Sequence, residues 1–98
     1  MKEKSKKQKE RGKLVSFFLE IWKERPHKCI NCKKWLGNEP LSYMFDHLLE
    51  KSKYPELKYE ELNICILCLE CHDNKTRGFV SETIKKLIEI VKNQFNIL

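Results

Sequence analysis

The sequence predicts an α+β fold in which a short β-hairpin and a small helix are stapled by a bound metal and flanked by a helix on each side. Three observations predict it. Two Cys-x-x-Cys pairs, Cys29/Cys32 and Cys68/Cys71, bracket the middle of the chain. Two short apolar stretches near or between those pairs have the composition of strands. Apolar residues at helical spacing mark both ends, with Leu14, Phe17, Phe18, Ile21 and Trp22 on one side and Ile84, Leu87, Ile88, Val91 and Phe95 on the other.

With 98 residues, 41% of them hydrophobic, the chain has room for one domain and only a small core. A structural metal is a common staple at that size. Five cysteines would leave a closed disulfide framework with one thiol over. No apolar run is long enough for a signal peptide or a membrane span. Together these features point to a reducing cytoplasm, where paired cysteines more often hold metal than each other.

The net charge of +6 is concentrated at one end. Lys2, Lys4, Lys6, Lys7, Lys9, Arg11 and Lys13 stand against Glu3 and Glu10, which gives a basic arm over residues 1–13 ahead of a single domain at 14–98. Such an arm reads either as a solvated terminus or as a source of sequence-independent affinity for a phosphate backbone. A helix is expected over 14–24, stopped by Pro26. Residues 27–36 form a knuckle around the first cysteine pair, with Lys33 and Lys34 at its tip, and Gly37, Asn38 and Pro40 then mark a turn. A first strand is expected over 41–47 and a second over 62–67, joined by a polar loop that contains Pro55 and about one helical turn. A short helix over 69–76 carries Cys71 and His72 and is broken by Gly78. Ser81 caps the last helix.

Four thiolates around a d¹⁰ ion make a closed tetrahedral site, so Cys29, Cys32, Cys68 and Cys71 are read as ligands of one structural zinc. The pairs are separated by 35 residues that contain both strands, and the zinc would clamp the ends of the hairpin. Cys65 makes a Cys65/Cys68 pair formally possible. Its place within a strand suits a buried apolar position better.

Within the clamp lies a set of residues suited to phosphodiester hydrolysis. That reaction needs a nucleophile made from water, a charge sink for the phosphate and a stabilised leaving oxygen. Asp46 and His72 offer a carboxylate and an imidazole to a divalent cation, leaving His47 as a base that works near neutral pH. Each residue alone is weak evidence, and the ordered set is much more specific.

At these residues the chain resembles the HNH, or ββα-metal, endonucleases. The resemblance runs from about Cys29 to Gly78 and is densest at Phe45-Asp46-His47, at Leu62-Asn63, and from Leu67 to Thr76. It implies His47 as general base and Asp46 as a metal ligand. It also implies Asn63 as the residue that orients the base imidazole through a hydrogen bond, and His72 as the second metal ligand. The cysteine pairs match the zinc-stabilised branch of that family. Thr76 stands where some members have a further histidine, and the loop after His47 lacks the usual proline or glycine. With only Asp46 and His72 as protein ligands the cation keeps several waters, which favours Mg²⁺ or Mn²⁺. Lys75 and Arg77 read as phosphate contacts or as solvated helix-end charges.

The expected activity is therefore a Mg²⁺- or Mn²⁺-dependent endonuclease acting on DNA, of the kind carried by phages and mobile elements in bacterial cells. RNA presents the same phosphodiester chemistry. The alternative is a non-catalytic zinc module that only binds nucleic acid, and a third reading is a protein-interaction domain. The set Asp46, His47, Asn63 and His72 separates them, because a pure binding module has no need of it.

Overall fold

The hairpin expected between the cysteine pairs forms, and it divides the interior into two cores. The computed structural model describes residues 6–97, with side chains from residue 12 onward. Strand β1 (Phe45–His47) runs antiparallel to β2 (Ile64–Ile66), pairing Phe45 with Ile66, Asp46 with Cys65 and His47 with Ile64. Side chains alternate across a sheet. Phe45, Ile64 and Ile66 share one face and are buried with Ile21, Trp22 and Met44. Cys65 takes the opposite face and is buried with Leu48, Leu57, Leu67, Ile84 and Val91.

Helix α1 (Lys6–Glu24) covers the first face. It begins eight residues before the expected start, because Lys, Gln, Glu and Arg are good helix formers and a lone Gly12 does not stop them. The basic arm is thus helical from Lys6, while its side chains up to Arg11 lie outside the described residues. Phe18 stacks on Phe45 with ring centroids 4.6 Å apart, and Trp22 meets the same ring edge-on at 6.2 Å. Burying each large apolar side chain contributes about 1.5–3 kcal/mol, so this contact anchors the helix. Beyond its end, the Arg25 guanidinium donates to the carbonyls of Ile64 and Glu61, tying α1 to the start of β2. His27 stacks on Trp22 at 3.8 Å and bonds its carbonyl at 3.0 Å, so the third histidine belongs to the scaffold.

Both strands are shorter than expected. Ser42–Met44 and Glu61–Asn63 are single 3-10 turns, each leading directly into its strand. One end of the hairpin must turn at once into the ligand-bearing helix, and the other must curl so that Asn63 can bury its side chain. Strand length gives way to those two demands. The connecting loop holds a third 3-10 turn at Pro55–Leu57, as Pro55 suggested.

Helix α2 (Leu69–Thr76) has Cys68 as its N-cap and ends at Gly78, whose φ of +94° only glycine adopts without strain. The Phe79 N–H then reaches the Asn74 carbonyl at 2.8 Å and closes the helix end. Helix α3 (Glu82–Gln94) is capped by the Ser81 hydroxyl, which accepts from Ile84 N–H at 3.2 Å. Its buried stripe includes Ile84 and Val91, flanked by Leu87, Ile88 and Phe95. Among the described residues no helix is long and apolar enough to cross a membrane.

Candidate active site and metal centre

The sulfurs of Cys29, Cys32, Cys68 and Cys71 lie within 4.8 Å of one another. Those of Cys32 and Cys68 are 3.7 Å apart, and tetrahedral zinc with bonds of about 2.3 Å sets its sulfurs about 3.8 Å apart. Donor set and spacing fit a structural zinc with no open position. Both pairs fold alike: Cys32 N–H points at Cys29 Sγ and Cys71 N–H at Cys68 Sγ, each at 3.4 Å. Burial pushes the Cys29 thiol up, but backbone N–H groups of Cys32, Cys68 and Asn31 outweigh it and hold the group at about 7. Asn31 donates to Cys71 Sγ at 3.3 Å and accepts from Ser81 Oγ at 2.6 Å, which joins the cluster to the cap of α3. Cys65 stays apart, with its thiol pushed up to about 12 by burial first and by the nearby Asp46 charge second. The pairing of Cys68 with Cys71, rather than with Cys65, is the one the sulfur positions support.

On the α2 face of the hairpin, Asp46 and His72 converge. Asp46 Oδ1 lies 3.7 Å from His72 Nε2, with the side chains only 15% and 28% exposed. Two donors bound to one ion at about 2.0–2.2 Å can stand no more than about 4.4 Å apart, so this pair fits a shared cation. The other carboxylate oxygen is held by Lys75 Nζ at 2.8 Å, and the same ammonium reaches the His47 carbonyl at 3.4 Å. Lys75 follows His72 by three residues and so shares its helix face. It is neither solvated nor free to extend, being 14% exposed and paired. Thr76 Oγ1 donates back to the His72 carbonyl at 3.0 Å, and Arg77 is exposed at the end of α2.

Strand alternation sends His47 to the other face, where its ring meets Phe18 edge-on at 5.9 Å. His47 Nε2 lies 2.9 Å from the Lys58 carbonyl. A carbonyl only accepts, so Nε2 carries the hydrogen and the lone pair sits on Nδ1. Burial lowers the His47 pKa below its usual 6.5 despite the opposing hydrogen bond to Lys58. The imidazole is therefore neutral near pH 7 and able to take a proton.

Asn63 departs from its expected contact with the His47 ring. Its side chain is fully buried and holds the loop instead: Oδ1 accepts from Leu49 N–H at 2.8 Å, and Nδ2 donates to the carbonyls of Leu49 at 3.1 Å and Leu57 at 3.2 Å. Both amide hydrogens are committed to backbone. The residue after Leu57 supplies the carbonyl that holds His47, so Asn63 reaches the imidazole through the loop.

Sequence reasoning missed the Lys75–Asp46 pair, although the three-residue spacing from His72 was the signal that could have found it. The Lys58 carbonyl carries no sequence signal, because any residue supplies one. A hairpin and a short helix joined at a four-cysteine cluster thus present an acid–imidazole pair on one face. Residues 29–78, half of the chain, match the family model of the HNH endonucleases. The protein belongs to the HNH endonuclease family. No curated protein matches the chain, and no solved structure does.

Proposed function

We propose that the protein is a divalent-metal-dependent endonuclease that hydrolyses DNA phosphodiester bonds, nicking duplex DNA when it acts as a monomer. The observation that carries this reading is the 3.7 Å approach of Asp46 Oδ1 to His72 Nε2, next in the chain to an imidazole whose Nδ1 is unprotonated. Asp46 and His72 would hold one Mg²⁺ or Mn²⁺, which when bound polarises the phosphate and stabilises the leaving oxygen. His47 Nδ1 takes the proton of the attacking water, while its Nε2–H on the Lys58 carbonyl fixes the tautomer. Asn63 supports that geometry by pinning the loop. The four-thiolate cluster has no open position and serves the fold.

Residues 14–98 would act as one domain, and the basic residues before them would add sequence-independent affinity for DNA. A thiolate cluster suits a reducing compartment such as the cytoplasm of a bacterial or phage-infected cell. The test is supercoiled plasmid incubated with Mg²⁺, with Mn²⁺ and with EDTA. Nicked circles should form with either ion and not with EDTA. His47→Ala should slow nicking by about 100-fold or more with zinc content unchanged. Tight plasmid binding without cleavage under any condition would replace this reading with the non-catalytic nucleic-acid-binding module.

A further inference from the structure

The Asp46 carboxylate divides its two oxygens between two cationic roles. Oδ1 faces His72 Nε2 at 3.7 Å, while Oδ2 is already neutralised by Lys75 Nζ at 2.8 Å. The ammonium is fixed there. It is 14% exposed, held a second time by the His47 carbonyl at 3.4 Å, and carried on the helix that presents His72.

We propose that Lys75 is a resident cation that keeps the site's affinity for divalent metal low until a phosphodiester arrives, so that metal and nucleic acid bind cooperatively. The proposal rests on the reading of Asp46 and His72 as metal ligands. One carboxylate and one ammonium leave the free pair neutral. A divalent ion on Oδ1 then gives a local charge of about +2, and without Lys75 that charge would be about +1. The difference penalises metal binding to the free protein. A phosphodiester brings one negative charge and relieves it. A purely structural clip between α2 and β1 predicts the opposite sign, because its removal would loosen Asp46 and weaken metal binding.

Mn²⁺ titration by calorimetry decides between them, in a His47→Ala background so that DNA stays intact. The free protein is compared with protein saturated by a short duplex, with the duplex's own Mn²⁺ uptake subtracted. Lys75→Met should tighten Mn²⁺ binding to the free protein by about tenfold, from two charges interacting with one across about 6 Å at near-aqueous screening. The gain produced by the duplex should shrink by a similar factor, and Lys75→Arg should stay within about twofold of the parent. Unchanged or weaker binding in Lys75→Met overturns the proposal. If the methionine variant does not fold, Lys75→Gln is measured in its place, and absence of a duplex-dependent gain in the parent overturns the proposal by itself. Mn²⁺ binding that survives Asp46→Ala unchanged would instead sink the ligand assignment beneath it, a failure distinguishable from loss of the lysine effect alone.

Discussion

Replacing Asn63 by aspartate would test the loop anchor without changing its volume. The fully buried Asn63 makes three hydrogen bonds to backbone, and Asn63→Asp keeps only the one accepted from Leu49 N–H at 2.8 Å. The two bonds donated to Leu49 O and Leu57 O are lost, and a carboxylate oxygen is turned towards both carbonyls. Leaving a buried acceptor without its donor costs about 1–3 kcal/mol. Leu57 O retains Glu60 N–H at 3.2 Å, so its loss sits at the low end, while Leu49 O and the buried carboxylate sit higher. The sum is about 3 kcal/mol or more, which for a domain of this size lowers Tm by about 12–24 °C. Urea unfolding followed by tryptophan fluorescence, with zinc in excess so that metal loss does not set the midpoint, would measure it. Nicking assayed well below the variant's Tm should also fall by about tenfold or more, because the Lys58 carbonyl no longer fixes the His47 ring. A variant within about 0.5 kcal/mol of wild type would refute the claim that this amide holds the loop.

The remaining predictions are more direct. Cys29→Ser should lose zinc and leave the domain unfolded or strongly destabilised, since metal-binding energy is folding energy here, whereas Cys65→Ser should retain one zinc per chain by elemental analysis. Because burial depresses the His47 pKa below 6.5, the acid limb of the nicking rate should have its midpoint below pH 6.5, and a midpoint above it would contradict a buried neutral base. The same depression makes His47's share of stability fully present above pH 6.5 and lost as pH falls through the folded value, which unfolding at a series of pH values would register. Deleting residues 2–11 should weaken DNA binding at low salt and flatten its salt dependence by about 0.9 for each phosphate no longer neutralised, with turnover of saturated DNA unchanged.

What could be read from the sequence was what side-chain identity and spacing encode. The cysteine clamp, the extent of α2 and the cap and stripe of α3 all follow from residue types at fixed intervals. The pairing of Asp46 with His72 was legible from their order in the chain. Strand ends were not, because Tyr43 and Leu62 have strand-like side chains but lie in 3-10 turns imposed by the nearby start of α2 and by the burial of Asn63. The start of α1 was obscured by charge, since a lysine-rich run reads as a solvated arm whether or not it is helical. The hold on His47 was invisible for another reason: it is a backbone carbonyl, brought into place by a side chain 16 positions from the histidine it serves.

The order of the neighbouring pair Asp46-His47 has structural consequences of its own. Alternation along β1 gives the first position to the face where α2 supplies His72 and Lys75, and the second to the face where Phe18 and the Lys58 carbonyl enclose a ring. Each environment suits one residue only. A carboxylate in place of His47 would face the Lys58 carbonyl oxygen and the Phe18 ring, and an imidazole in place of Asp46 would lose the attraction to Lys75. The double substitution Asp46→His with His47→Asp preserves composition and net charge but should abolish nicking. It should also destabilise the domain by about 1–3 kcal/mol, the cost of a half-buried charge facing an acceptor. Retained activity with unchanged urea stability would mean that the two faces are equivalent, and that α2 and the loop do not divide the roles of the pair between them.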